Sequence, residues 1–148
     1  MVYRNKMEYF FEEEETSGSL IKREDVEDKY KWDLRDIYED VKNWEADFSL
    51  IEQNMPEYKK MAGTLADSAS RLLECLKFNE FNGTLMSRVY HYASLAKDLD
   101  LTDSIYLSIY DRAVTLASQL GAASSFIRPE ILAMPEEKLW GFVKEEKE

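Results

Sequence analysis

The chain has 148 residues, one cysteine, one histidine and a formal net charge of −11. One thiol excludes an internal disulfide, one imidazole excludes any metal site built from two histidines, and the acidic balance leaves no basic footprint for nucleic acid. A domain of this length buries roughly 68–70% of its unfolded surface and needs neither kind of staple.

The charge is uneven. Eight acids and two bases fall between Glu12 and Asp28, around the run Thr16-Ser17-Gly18-Ser19. That composition predicts a solvated arm over residues 1–28, followed by a folded body over 29–148. From Lys29 to Pro135 there are sixteen acids and twelve bases, an ordinary globular surface. The short apolar run before Glu12 is no secretory core, so the expected address is the cytoplasm. The sequon Asn82-Gly83-Thr84 then reads as a turn. The longest uncharged stretch, Ala113 to Ile127, is shorter than the about 20 residues of a membrane span.

Past the arm every segment predicts helix, and no alternating strand pattern interrupts. Val41, Trp44, Phe48 and Ile51 share one face of a helix from Glu39 to about Gln53, which Pro56 is expected to end. Asp67 or Ser68 caps a second helix carrying Leu72, Leu73, Leu76 and Phe81, with a break at Asn82-Gly83. A third runs from about Thr84 to Asp98 with Leu85, Val89, Tyr92 and Ala96 on one stripe. Thr102 or Asp103 caps a fourth, ending near Ile127 before Pro129. Pro135 opens the last, Glu136 to Lys147. Five helices in antiparallel hairpins, an all-α bundle, is the expected architecture.

In the fourth helix Ala113, Ala117, Gly121 and Ser125 are spaced four apart, beside a larger stripe of Ile105, Ile109, Leu116 and Leu120. The small row predicts a close-approach seam, and the lack of charge predicts cover on most sides. In that register Gly121→Leu overpacks the seam at about 1–3 kcal/mol.

The side chains that could carry chemistry are few. His91 lies about 200° around its helix from Val89, which turns it toward solvent or a hydrogen bond. Cys75 sits in the apolar run Leu72-Leu73-Glu74-Cys75-Leu76 and reads as a small core residue. Asp98, Asp100 and Asp103 faintly resemble a calcium loop, but the glycine and the closing glutamate are missing, so turn and capping roles fit better. The scattered glycines form no phosphate cradle.

Four segments resemble the amino-terminal region of oligoendopeptidase F, of the thimet-oligopeptidase-like zinc peptidases. They are Lys29-Tyr30-Lys31-Trp32-Asp33-Leu34-Arg35-Asp36-Ile37-Tyr38, then Tyr90-His91-Tyr92-Ala93-Ser94-Leu95 with an aspartate-rich turn after it. Ile109-Tyr110-Asp111-Arg112-Ala113 and Phe126-Ile127-Arg128-Pro129-Glu130-Ile131-Leu132 complete the set. Leu101 departs from the family pattern, where a small polar residue is usual, and residues 1–19 match none of it.

The resemblance implies a non-catalytic helical lobe forming one wall of a channel for short peptides. The family's His-Glu-x-x-His helix and its zinc belong to a carboxy-terminal lobe, so this chain carries no catalytic or metal residue. Its expected partners are that lobe and short peptides. The rival reading is a free-standing helical interaction module that shares the fold. Tyr90, Tyr92, Tyr106 and Tyr110 are the candidate interface or channel residues. Tyr90 and Tyr92 point about 160° apart, so at least one ring of the set is expected at an outer surface, covered by the missing lobe or by a second copy.

Overall fold

A computed structural model describes residues 25–146, so most of the expected acidic arm lies outside the described residues. The chain divides into two units, one ending at Lys31 and one beginning at Trp32. In the first, Asp28–Tyr30 forms a single 3-10 turn. There Lys29 pairs with Glu27 at 2.6 Å and its ammonium lies 4.8 Å from the Tyr30 ring centre.

The second unit opens with a 3-10 turn, Leu34–Asp36, capped by Asp33. Helices α1 (Val41–Met61), α2 (Ala69–Leu99), α3 (Ser104–Ser124), α4 (Ile127–Ala133) and α5 (Glu136–Glu145) follow. Among the described residues there is no strand, and no helix is long and apolar enough to cross a membrane. The protein is all-α. The five expected helices become four, α1, α2, α3 and α5, with the short α4 added between the last two.

Two expected breaks are absorbed. Pro56 lies inside α1. Its missing N–H deprives the Glu52 carbonyl, and both residues are exposed, where water can take the donor's place. Beyond it Tyr58 and Met61 continue the buried face begun by Trp44, Phe48 and Ile51. That burial outweighs the roughly 3 kcal/mol an interior proline costs. Asn82-Gly83 likewise lies within α2. Asn82 is buried, donates to the Phe78 carbonyl at 2.8 Å and accepts from Asn54 Nδ2 of α1 at 2.9 Å. An asparagine that reads as a turn is thus a polar bolt between two helices. The result is a helix of 31 residues, about 46 Å long.

The caps of α2 and α3 fall on residues the sequence offers, whereas that of α1 is Asp40, which it did not single out. Asp40 caps α1, accepting from Asn43 N at 2.8 Å. Ser68 caps α2, accepting from Arg71 N at 3.1 Å. Asp100 accepts from both the amide and the hydroxyl of Thr102, and Asp103 caps α3. The aspartates hold a turn and a helix start. Pro129 falls in the first turn of α4, where a missing N–H costs nothing.

The core lies among α1, α2 and α3, which pack pairwise, and α5 lies along α2. Trp44 is fully buried and donates its indole N–H to the Val89 carbonyl at 2.9 Å. Between α1 and α2, Gly63 takes φ 81°, a left-handed conformation open to glycine at no steric cost. Glu130 of α4 accepts from the amide of Gly63 at 2.6 Å and of Leu65 at 3.5 Å, tying this connection down.

The small-residue seam does not form as expected. Ala113 is buried and Ala117 half-buried, but Gly121 and Ser125 are exposed, and a Cβ at Gly121 would meet nothing within 4 Å. Each step of four residues drifts about 40° around a helix, so three steps carry the row from core to solvent. The larger stripe holds at Ile109, Leu116 and Leu120 and fails at Ile105, which is exposed. Val114 is exposed as well, so from there onward α3 presents an uncharged outer face instead of being covered on most sides.

Candidate functional surfaces

The four candidate tyrosines do not form one surface. Tyr92 is buried, meeting the Tyr38 ring edge-on with centres 5.4 Å apart. Tyr106 is half-buried beside the same core. Tyr90 and Tyr110 do come together, α2 against α3, with ring centres 6.0 Å apart. The Lys97 ammonium lies 3.8 Å from the Tyr110 ring centre, close enough for cation–π attraction. The neighbouring Tyr110 phenol raises the Tyr90 pKa. On the outer side of Tyr90, His91 stands edge-on at 6.0 Å. Its Nδ1 donates to the Ser87 carbonyl at 2.6 Å, because a carbonyl oxygen can only accept.

The remaining polar clusters are fasteners. Arg112 of α3 forms a two-pronged ion pair with Glu45 of α1, one prong at 2.7 Å. Its guanidinium also lies 4.4 Å from the Phe48 ring centre and 5.1 Å from that of Trp44. That pairing lowers the Glu45 pKa and raises that of Arg112. Tyr38 donates to Asp47 at 2.7 Å, while Arg88 reaches Asp47 at 3.3 Å and the Ile37 carbonyl at 3.0 Å. Burial, and then the bond to Asp47, pushes the Tyr38 phenol well up. Cys75 is buried, and burial raises its pKa too, so no thiolate is favoured. Cys75 is therefore inert core.

Among the described residues no three His, Cys, Asp or Glu side chains come close enough to hold a metal ion. Besides a hollow of about 330 Å³ beside the Arg88 cluster, two surface hollows lie between helices. One, of about 380 Å³, lies between α1 and α3 and is lined by Phe48, Glu52, Asp111, Arg112, Thr115 and Gln119 among others. The other, of about 120 Å³, lies between α2 and α5 and is lined by Ala69, Leu72, Leu73, Leu76, Phe142, Val143 and Glu146. Sequence reasoning missed the second. The signal was present in Leu73, which lies about 100° around the helix from Leu72, yet nothing in the sequence says that α5 folds back beside it.

The segments that carry the family resemblance coincide with these fasteners. Ile37 and Tyr38 take part in the Arg88 cluster, Asp111-Arg112 supplies the pair to Glu45, and Glu130 clamps the Gly63 turn. Such an arrangement of long helices recurs in a bacterial oligopeptidase. The chain is 33% identical to oligopeptidase PepF of Bacillus subtilis over 136 residues, 92% of this chain and 20% of that protein. It is 30% identical to the group B oligopeptidase PepB of Streptococcus agalactiae over 123 residues, 83% of this chain and 20% of that protein. The crystal structure of oligoendopeptidase-F from Enterococcus faecium superposes with a TM-score of 0.69 at 28% identity, over 73% of this chain and 21% of that one. No protein-family model matches. Over this segment the chain is a homologue of oligoendopeptidase F, and it spans about one fifth of the length of the relatives it matches.

Proposed function

We propose that this chain is a non-catalytic helical lobe of a cytoplasmic, zinc-dependent, oligoendopeptidase F-like peptidase. It contributes part of the wall of the channel that takes short peptides. The observation that carries this reading is the extent of the match: nearly the whole chain corresponds to one fifth of enzymes named for oligopeptide cleavage. The polypeptide that completes such an enzyme would supply the His-Glu-x-x-His helix and its zinc. There the metal would polarise the scissile carbonyl while the glutamate deprotonates water. The residues of this chain act by holding the wall in shape. Tyr90, Tyr110 and Lys97 form the aromatic and cationic surface proposed to face peptide or the neighbouring lobe.

The test compares the purified chain with the chain co-expressed with the rest of an oligopeptidase, using an internally quenched peptide. Cleavage is expected only from the assembled pair, abolished by chelation and restored by zinc. Chelator-sensitive cleavage by the chain alone, with about one tightly bound zinc per chain, would overturn the reading. Failure of the pair to assemble would favour the free-standing interaction module.

A further inference from the structure

A lobe that is one fifth of a longer enzyme must meet the rest of it over some surface, and interfaces between domains bury roughly 600–1,500 Å². Besides the surface of Tyr90, Tyr110 and Lys97, whose side chains are already half-buried against one another, three faces compete. The hollow between α1 and α3 is flanked by Arg112, already paired with Glu45, and by the carboxylates of Glu52 and Asp111, which lose water on contact unless the partner matches them. The outer face of α3 is uncharged but built from Val114, Ser118, Gly121 and Ser125, with little apolar area to bury.

The groove between α2 and α5 differs from both. Its walls are Ala69, Leu72, Leu73 and Leu76 on one side and Phe142 and Val143 on the other. Leu76 is 41% exposed and Val143 56% exposed. Its single charged lining residue, Glu146, is already engaged, accepting from the Ser70 hydroxyl at 2.7 Å. Binding there strips water mainly from apolar surface, and the one carboxylate keeps its hydroxyl donor. Helix α5 has no fully buried residue of its own and leans on α2 through half-buried Leu139 and Phe142. A partner seated in the groove would complete its burial.

We infer that the α2–α5 groove is the docking seat for an apolar segment of the catalytic part of an oligopeptidase. This rests on the proposed function. The occupant follows from the four fifths of the relatives' length that this chain does not span, and its chemistry follows from walls that are apolar but for Glu146.

The experiment co-expresses this chain with Bacillus subtilis oligopeptidase PepF lacking its matched segment. Maleimide labelling is followed at Leu76→Cys, at Val143→Cys, and at Leu50→Cys as a control on α1. Native Cys75 is buried and sets the slow baseline. In the complex, labelling at positions 76 and 143 is expected to slow at least roughly tenfold, because reaction must wait for local opening, while position 50 keeps its rate. The double variant Leu76→Asp, Val143→Asp is expected to weaken association by at least roughly tenfold, the loss typical of a central apolar contact. A complex that leaves positions 76 and 143 as reactive as in the isolated chain overturns the inference and spares the proposed function. So does a dimer of this chain that covers the groove and blocks the fragment. No association of the wild-type chain at all overturns both.

Discussion

The three long helices and the two short ones that follow are held in different ways. Across α1, α2 and α3 the contacts are deep and specific. Trp44 is wedged between helices with its indole bonded to a backbone carbonyl, Asn82 bolts α2 to α1, and Arg112 clasps Glu45 across two aromatic faces. In α4 only Ile127 is buried, and in α5 nothing is. That end is held by buried Ile127 and Met134, by the Glu130 clamp, by the bond from Ser70 to Glu146 and by half-buried side chains. A shared fold therefore contains a rigid part and a part of low local stability. Regions that meet a partner are drawn from the latter class.

The sharpest way to break this contrast is to remove one aromatic residue from each part. Trp44→Ala is expected to cost about 3–5 kcal/mol, read as a lower denaturant midpoint. Trp140→Ala, at an exposed position on α5, should stay within about 0.5 kcal/mol. Equal losses would mean that the two parts are equally buried. Next in size, Asn82→Leu is expected to cost about 1–3 kcal/mol by orphaning Asn54, measured in the same way. A neutral result would show the bolt to be dispensable.

The third expectation concerns acid. The Arg112 guanidinium bonded to Glu45 holds that carboxyl below its usual range. A depressed folded-state pKa adds stability that is fully present above the unfolded-state value, near 4.3, and is lost as pH falls through the folded value. Both side chains are 40% exposed, so the loss is expected to stay below about 1 kcal/mol. Glu45→Gln should flatten that part of the acid limb of a melting-temperature profile. An unchanged limb would show the pair to be slack in solution. The smallest effect is expected at Gly121→Leu, within about 0.5 kcal/mol by the same denaturant midpoint, because the added side chain points into open space. A loss near 3 kcal/mol would restore the buried seam.

The all-α architecture and the caps at Ser68 and Asp103 were legible because hydrophobic spacing and capping chemistry are local. Misjudgements arose where tertiary contacts outvoted local signals. Pro56 and Asn82-Gly83 are strong breakers by propensity, but buried neighbours on either side keep α1 and α2 continuous. The row from Ala113 to Ser125 misled because a spacing of four is not the helical repeat. Of the candidate surface, the divergence of Tyr90 and Tyr92 followed from helix geometry alone. The pairing of Tyr90 with Tyr110, the ring of Lys97 contacts and the groove beside α5 depend on how helices far apart in sequence meet, which no spacing records.

The three tryptophans of this chain are placed as if to report on its regions separately. Trp44 is wholly enclosed, Trp140 rides the outside of α5 with its indole N–H 3.2 Å from Glu136, and Trp32 is exposed ahead of the first helix. Emission from Trp44 is therefore expected to be blue-shifted and shielded from acrylamide, whereas the other two are red-shifted and readily quenched. With Trp32 and Trp44 replaced by phenylalanine in turn, α5 becomes visible by light alone, and the arrival of a neighbour beside it would register as a change in colour.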